Sequence, residues 1–220
     1  MQECKKGPCD RSAPSVCLSS TTGKLMNKRL SWPLKTALLA VPVILLFQAS
    51  GSPAESLAEQ VATCADCHGE AGVPTAPDIP VIWGQEFYYL YVQLSDYNAG
   101  RRANEIMSGI AADMTKEQMQ ALAQYFADKP WPNTSFAASD AASNRGETAL
   151  GAGQCSQCHL GGYNGNSRIP RLAGQQPHYL ARTMLEFKNK VRLNAPDKGA
   201  LMRAFSDEDI AAMAETLSAK

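Results

Sequence analysis

The pentapeptides Cys64-Ala65-Asp66-Cys67-His68 and Cys155-Ser156-Gln157-Cys158-His159 constrain this chain more than any other feature in it. In each, two thiols stand three positions apart and an imidazole follows the second directly. That order suits covalent attachment of haem c: each thiol forms a thioether with one vinyl group, and the adjacent histidine reaches the iron as proximal ligand. Cys64, Cys67, Cys155 and Cys158 are therefore expected to anchor two haem c groups, with His68 and His159 ligating the irons.

Other uses of a Cys-x-x-Cys pair fit less well. Compact zinc modules separate their half-sites by roughly 15 to 20 residues, whereas Cys67 and Cys155 lie 88 positions apart. A thioredoxin-like dithiol belongs in a strand–helix–strand setting, and no β-rich run flanks either pair.

The first 54 residues differ in character from the rest. Lys28 and Arg29 precede an apolar run, Thr36 to Phe47, and Ser52-Pro53-Ala54 offers small residues for cleavage, the pattern of a secretory signal. Twelve apolar residues interrupted by Pro42 fall short of the roughly 20 that span a bilayer. Met26 begins a leader of ordinary proportions, so the stretch from Met1, with Cys4, Cys9 and Cys17, is expected to be an over-extended start. Cleavage after Ala54 takes 54 residues from 220 and leaves 166, in which all four cysteines belong to the two motifs. An oxidising compartment, the periplasm, accounts for the lack of others.

The two motifs lie within an internal repeat. A shift of 90 or 91 residues brings Pro80, Gly84, Gln85, Tyr89 and Leu90 onto Pro170, Gly174, Gln175, Tyr179 and Leu180, and Tyr97 onto Phe187. The expected organisation is a first domain over 55–131, a linker over 132–142 rich in Pro, Ala and Ser, and a second domain over 143–220. Each is small for burying a core of its own, a deficit that an apolar haem plate fills.

Both units are expected to be all-α, with three helices each. In the first these are Glu55–Cys67, Gln85–Asn98 and Thr115–Asp128; in the second, Asn144–Cys158, Pro177–Lys190 and Asp207–Ser218. Thr115 with Gln118, and Ser206 with Asp209, mark helix N-termini. The Gly- and Pro-rich stretches from His68 to Gly84 and from His159 to Gly174 are expected to be loops around a flat cofactor edge. Formal charge is balanced at 21 basic and 21 acidic residues, yet residues 55–131 hold four basic against eleven acidic and residues 132–220 ten against eight, so the molecule is a dipole.

Each iron has a second axial position, and a methionine thioether there favours the reduced state. Met107, in a polar, glycine-containing stretch before the third helix, is the expected ligand in the first unit; Met114 abuts a helix cap and reads as packing. In the second unit the equivalent count back from Ser206 reaches Lys198, and Met202 is the nearest thioether. Three arrangements stand in order of preference: Met202 as ligand, a neutral Lys198 as ligand, or an open site. Met184 and Met213 sit on apolar helix faces and read as core, and His178, whose counterpart is Tyr88, as a surface or propionate-neighbouring side chain. Trp83, Trp131, Tyr88, Tyr89 and Tyr91 read as core aromatics before haem-edge ones.

The two CxxCH motifs, the stretches from Pro80 to Leu90 and from Pro170 to Leu180 with their Pro-x-x-x-Gly-Gln and Tyr-Leu elements, and Met107 together resemble the dihaem cytochromes c4, built from two class I cytochrome c domains. The resemblance covers nearly all of 55–220. It implies a soluble or loosely membrane-associated periplasmic carrier of single electrons, from a quinol-oxidising bc complex towards a terminal oxidase, with the Pro80 and Pro170 carbonyls accepting from the proximal imidazoles.

An electron-transfer role without a reaction of its own is thus the leading expectation; no flavin or nucleotide fingerprint is present, and no nucleic-acid partner is expected. The main alternative is the cytochrome subunit of a dehydrogenase oxidising sulfide, thiosulfate or an alcohol. A haem enzyme such as a peroxidase would need the second iron open, for which the lysine at 198 is the only support.

Overall fold

The computed structural model describes residues 55–220, and the expected leader over 1–54 lies outside them. Among the described residues there are nine helices, no strand, and no helix long and apolar enough to cross a membrane. The first half holds α1 (Leu57–His68), α2 (Phe87–Asn98), α3 (Glu105–Ala111) and α4 (Lys116–Ala127). The second holds α5 (Asp140–Ala152), α6 (Cys155–His159), α7 (Pro177–Lys188), α8 (Pro196–Met202) and α9 (Asp207–Ser218).

Helix starts follow from local chemistry. Thr115 Oγ1 accepts from Gln118 N at 3.2 Å while Gln118 Oε1 accepts from Thr115 N at 2.7 Å, and Ser206 and Asp209 make the same reciprocal pair at 3.1 and 3.0 Å. Two orphan N–H groups are satisfied at each of these ends. Ser56 and Glu59 close a third such box at α1.

Three elements depart from the expected helices. The stretches before α4 and α9 form the short helices α3 and α8: Asn104 caps α3 by accepting from Met107 N at 2.9 Å, and Pro196 occupies the first turn of α8, where its missing N–H costs nothing. The first helix of the second half begins earlier than expected, at Asp140 behind the cap Ser139, and breaks before its motif. Gly151 and Gly153 weaken the helix there, and Gln154 turns left-handed at φ 51°, so α6 carries the motif separately. No glycine interrupts α1, which runs through to His68.

Each half closes on the third long helix of its unit. In the first, α1 and α2 pack on α4 around Leu90, Leu122, Ala123 and Phe126; in the second, α5 and α7 pack on α9 around Leu150, Leu180, Ile210, Met213 and Leu217. The loop after each haem motif ends in a glycine tied to the end of that helix: Gly84 N donates to Phe126 O at 2.8 Å and Gly174 N to Leu217 O at 3.1 Å. Both glycines are left-handed, φ 65° and 74°, and a Cβ on either would press against Trp131 at 2.8 Å. The connecting stretch is held between these two turns. Trp131 lies under the Arg171 guanidinium, 4.6 Å from its ring centroid, and Thr134 Oγ1 donates to Gly174 O at 2.6 Å.

The described residues belong to one compact unit. Inside it the halves meet through side chains related by the repeat, so the contacts come in symmetric pairs. Gln175 bonds the backbone of Val81, and Gln85 bonds that of Arg171.

Candidate functional site: a paired haem cavity

A cavity of about 530 Å³ runs through both halves. Its wall includes Cys64, Cys67, His68 and Met107 from the first half and Cys155, Cys158, His159 and Met202 from the second, so all eight expected site residues line one continuous space, and the alternative ligand Lys198 lines it too. No disulfide joins any of the four motif cysteines, and as a thiol Cys64 is pushed up to about 11 by burial, the carboxylate of Glu55 and the second thiol. Among the described residues no three of His, Cys, Asp and Glu converge as a metal-binding cluster would require.

Both imidazoles are oriented the same way. His68 Nδ1–H donates to Pro80 O at 2.8 Å and His159 Nδ1–H to Pro170 O at 2.9 Å. This fixes the tautomer and leaves Nε2 as the unprotonated nitrogen, the form that binds iron. Burial depresses both imidazole pKa values, which keeps the rings neutral; at His159 the positive charge of nearby Lys198 adds to the effect.

Met107 is half-buried at the third position of α3. Lys198 is the third residue of α8, the same register, and Met202 follows one turn later at the buried end of that helix. Lys198 and Met202, four residues apart, therefore share a helix face. Met213 and Met184 also touch the cavity but belong to the apolar core of the second half, as their helix faces suggested, and Met114 packs on the core of the first. His178 is exposed, as is Tyr88.

A second set of cavity residues went unrecognised in the sequence. Arg102 and Arg192, 90 residues apart and both buried, face each other where the halves meet. Arg102 donates to Gln93 Oε1 at 2.9 Å and Tyr179 Oη at 3.3 Å; Arg192 donates to the same Gln93 oxygen at 2.7 Å and to Asn194 Oδ1 at 2.9 Å. Each guanidinium also lies over an equivalent ring, Arg102 over Tyr97 at 4.7 Å and Arg192 over Phe187 at 4.4 Å. Burial opposes ionisation of the Tyr179 phenol, and the two guanidiniums more than reverse this, holding it below the ordinary tyrosine range. Neither arginine pairs with a carboxylate among the described residues. Two buried, unneutralised cations call for anions in the cavity, and the carboxylates of haem propionates answer that need. The buried Thr183 Oγ1 lacks a partner in the same wall. The signal for these residues was present: Arg102 and Arg192, like Tyr89 and Tyr179, fall on the 90-residue shift.

No family model matches the chain. Among characterised proteins it is 33% identical to a cytochrome c4 of Thiocapsa roseopersicina over 180 residues, 76% of this chain and 92% of that one. It is 30% identical to a thiosulfate dehydrogenase electron acceptor of Stutzerimonas stutzeri, covering 86% of this chain and 94% of the relative. The fold matches the crystal structure of reduced recombinant cytochrome c4 from Pseudomonas stutzeri with a TM-score of 0.67 and 28% identity, covering 74% of this chain and 97% of that one.

Proposed function

The chain belongs to the cytochrome c4 family of dihaem electron-transfer proteins, and on that premise we propose that it relays single electrons in the periplasm from a quinol-oxidising bc complex towards a terminal oxidase. It is a carrier and not an enzyme, it holds two covalent haem c groups, and its partners are redox proteins. When bound, haem iron supplies the one-electron couple. The protein's own residues do the rest. Cys64 and Cys67, and Cys155 and Cys158, would anchor the two macrocycles by thioethers; His68 and His159 would present Nε2 to the irons; Arg102 and Arg192 would supply positive charge to the propionates.

Met107 would supply the remaining ligand to the first iron and Met202 to the second. Met202 is preferred over Lys198 because its side chain is buried in the cavity wall, while an amine must first lose its proton to coordinate. The observation that carries the carrier reading is the repeat of one imidazole–carbonyl bond in both halves, 2.8 and 2.9 Å, which gives both irons the same neutral, oriented ligand.

Carbon monoxide binding to the reduced protein tests the ligand set. The native protein is expected to bind none, Met107→Ala and Met202→Ala are each expected to bind it at half the haem, and Lys198→Ala at none. Binding by the native protein, or an open site created by Lys198→Ala alone, overturns the assignment.

A second reading has one specific support, the Stutzerimonas relative that is itself a thiosulfate dehydrogenase electron acceptor. Reduction of the purified protein by a bc complex with quinol, compared with reduction by a thiosulfate dehydrogenase with thiosulfate, separates the two by rate. Periplasmic placement rests on the leader and on the family, and fractionation of cells with the haem stain as marker tests it.

A further inference from the structure

Gln85 and Gln175 are buried, related by the repeat, and bonded to each other's half. Gln175 Oε1 accepts from Val81 N at 2.8 Å and Gln175 Nε2 donates to Val81 O at 2.9 Å. Gln85 Oε1 accepts from Arg171 N at 2.8 Å and its Nε2 donates to Arg171 O at 3.0 Å. Each Oε1 also accepts from the next residue of its own chain segment, Glu86 N at 3.0 Å and Gln176 N at 2.9 Å. Only one orientation of each side-chain amide satisfies these N–H and C=O partners, so the arrangement is fixed.

The Val81 N–H is not an arbitrary donor. It belongs to the same peptide group as the Pro80 carbonyl that accepts from His68, and the Arg171 N–H shares a peptide group with the Pro170 carbonyl that accepts from His159. Two unbroken chains result. One runs from His68 Nδ1–H through the Pro80–Val81 amide to Gln175, the other from His159 Nδ1–H through the Pro170–Arg171 amide to Gln85.

Donating a hydrogen bond from the nitrogen end of an amide polarises it and makes its oxygen a better acceptor. A better acceptor pulls harder on the imidazole N–H, makes the ring a stronger donor to its metal, and so favours the ferric state. We propose that Gln85 and Gln175 are crossed positioning residues: each tunes the donor strength of the proximal histidine in the opposite half, Gln175 acting on the first haem and Gln85 on the second.

This inference rests on His68 and His159 being the proximal ligands, and the test separates the two. A pyridine haemochrome count of two haem c groups and a low-spin spectrum in the native protein establish the ligands first; their failure would concern the site and not the crossing. Potentiometric titration of Gln175→Leu is then expected to raise the midpoint of the first haem and leave the second unchanged, and Gln85→Leu to do the reverse. Haem-methyl contacts with Phe126 and with Met213 in proton NMR assign the two centres. In the reduced protein the Nδ1–H resonance of the affected histidine is expected to move upfield, as its bond weakens. Gln→Asn at either position, too short to reach the partner backbone but polar, gives the same direction and serves where a Leu variant loses haem. A shift at the haem of the mutated half, an equal shift at both, a fall, or no shift overturns the proposal.

Discussion

Gly146, in the middle of α5, sets how closely α5 approaches α9. A Cβ built there would stand 2.5 Å from the Ala212 carbonyl oxygen and 2.9 Å from its carbon, and would also meet Thr216 Oγ1. Two of these atoms are backbone, so relief requires shifting α9, which carries Met213 and Leu217 of the cavity wall. Gly146→Ala gains about 1 kcal/mol of helix propensity but incurs overpacking of about 3 kcal/mol, the upper part of the usual range for an inserted methyl. The net loss of about 2 kcal/mol corresponds to a fall in Tm of about 4–8 °C for a chain of this size. Gly151, on the same helix, is the control, because a Cβ added there would meet nothing within 4 Å: Gly151→Ala is expected to gain up to about 1 kcal/mol. Thermal unfolding of the haem-loaded proteins, followed by far-UV circular dichroism, reads both. A Gly146→Ala protein as stable as the native one, or as stable as Gly151→Ala, would refute the close-approach argument.

Two further outcomes are expected. Ser206→Ala removes the cap that accepts from Asp209 N and should cost about 1 kcal/mol, visible as a lower denaturation midpoint with an unchanged slope. Arg192→Leu withdraws a buried positive charge from the cavity and should lower the haem midpoints in a potentiometric titration; a rise would mean that Arg192 does not face the propionates.

How much of this was legible depended on the range of the interaction. Thr115 with Gln118 and Ser206 with Asp209 read correctly because a capping box is complete within four residues. The pairing of motif histidine with proline carbonyl followed from the resemblance. The helices α3 and α8 did not read, because seven residues carry too little periodicity, although Asn104 and Pro196 were usable start signals. The break at Gln154 was foreshadowed only by Gly151 and Gly153. Gln85 and Gln175 were visible as repeat matches, but their partners lie 86 and 94 residues away, and a pattern along one chain does not say which backbone a buried amide will bond. The buried arginines escaped for the same reason: their role is defined by what faces them across the halves.

The segment joining the halves has a kinetic consequence. Trp131 and Thr134 are wedged between the Gly84 and Gly174 turns, so the connection works as a spline and not as a tether. A protein whose two centres sit on rocking bodies must wait for favourable geometry before each transfer, and its internal rate then slows in viscous solvent. Here the geometry is already set. Exchange between the two haems is then expected to wait for no domain motion and to depend on separation, driving force and reorganisation energy, so equal internal rates in glycerol and in water after flash reduction are the expected result.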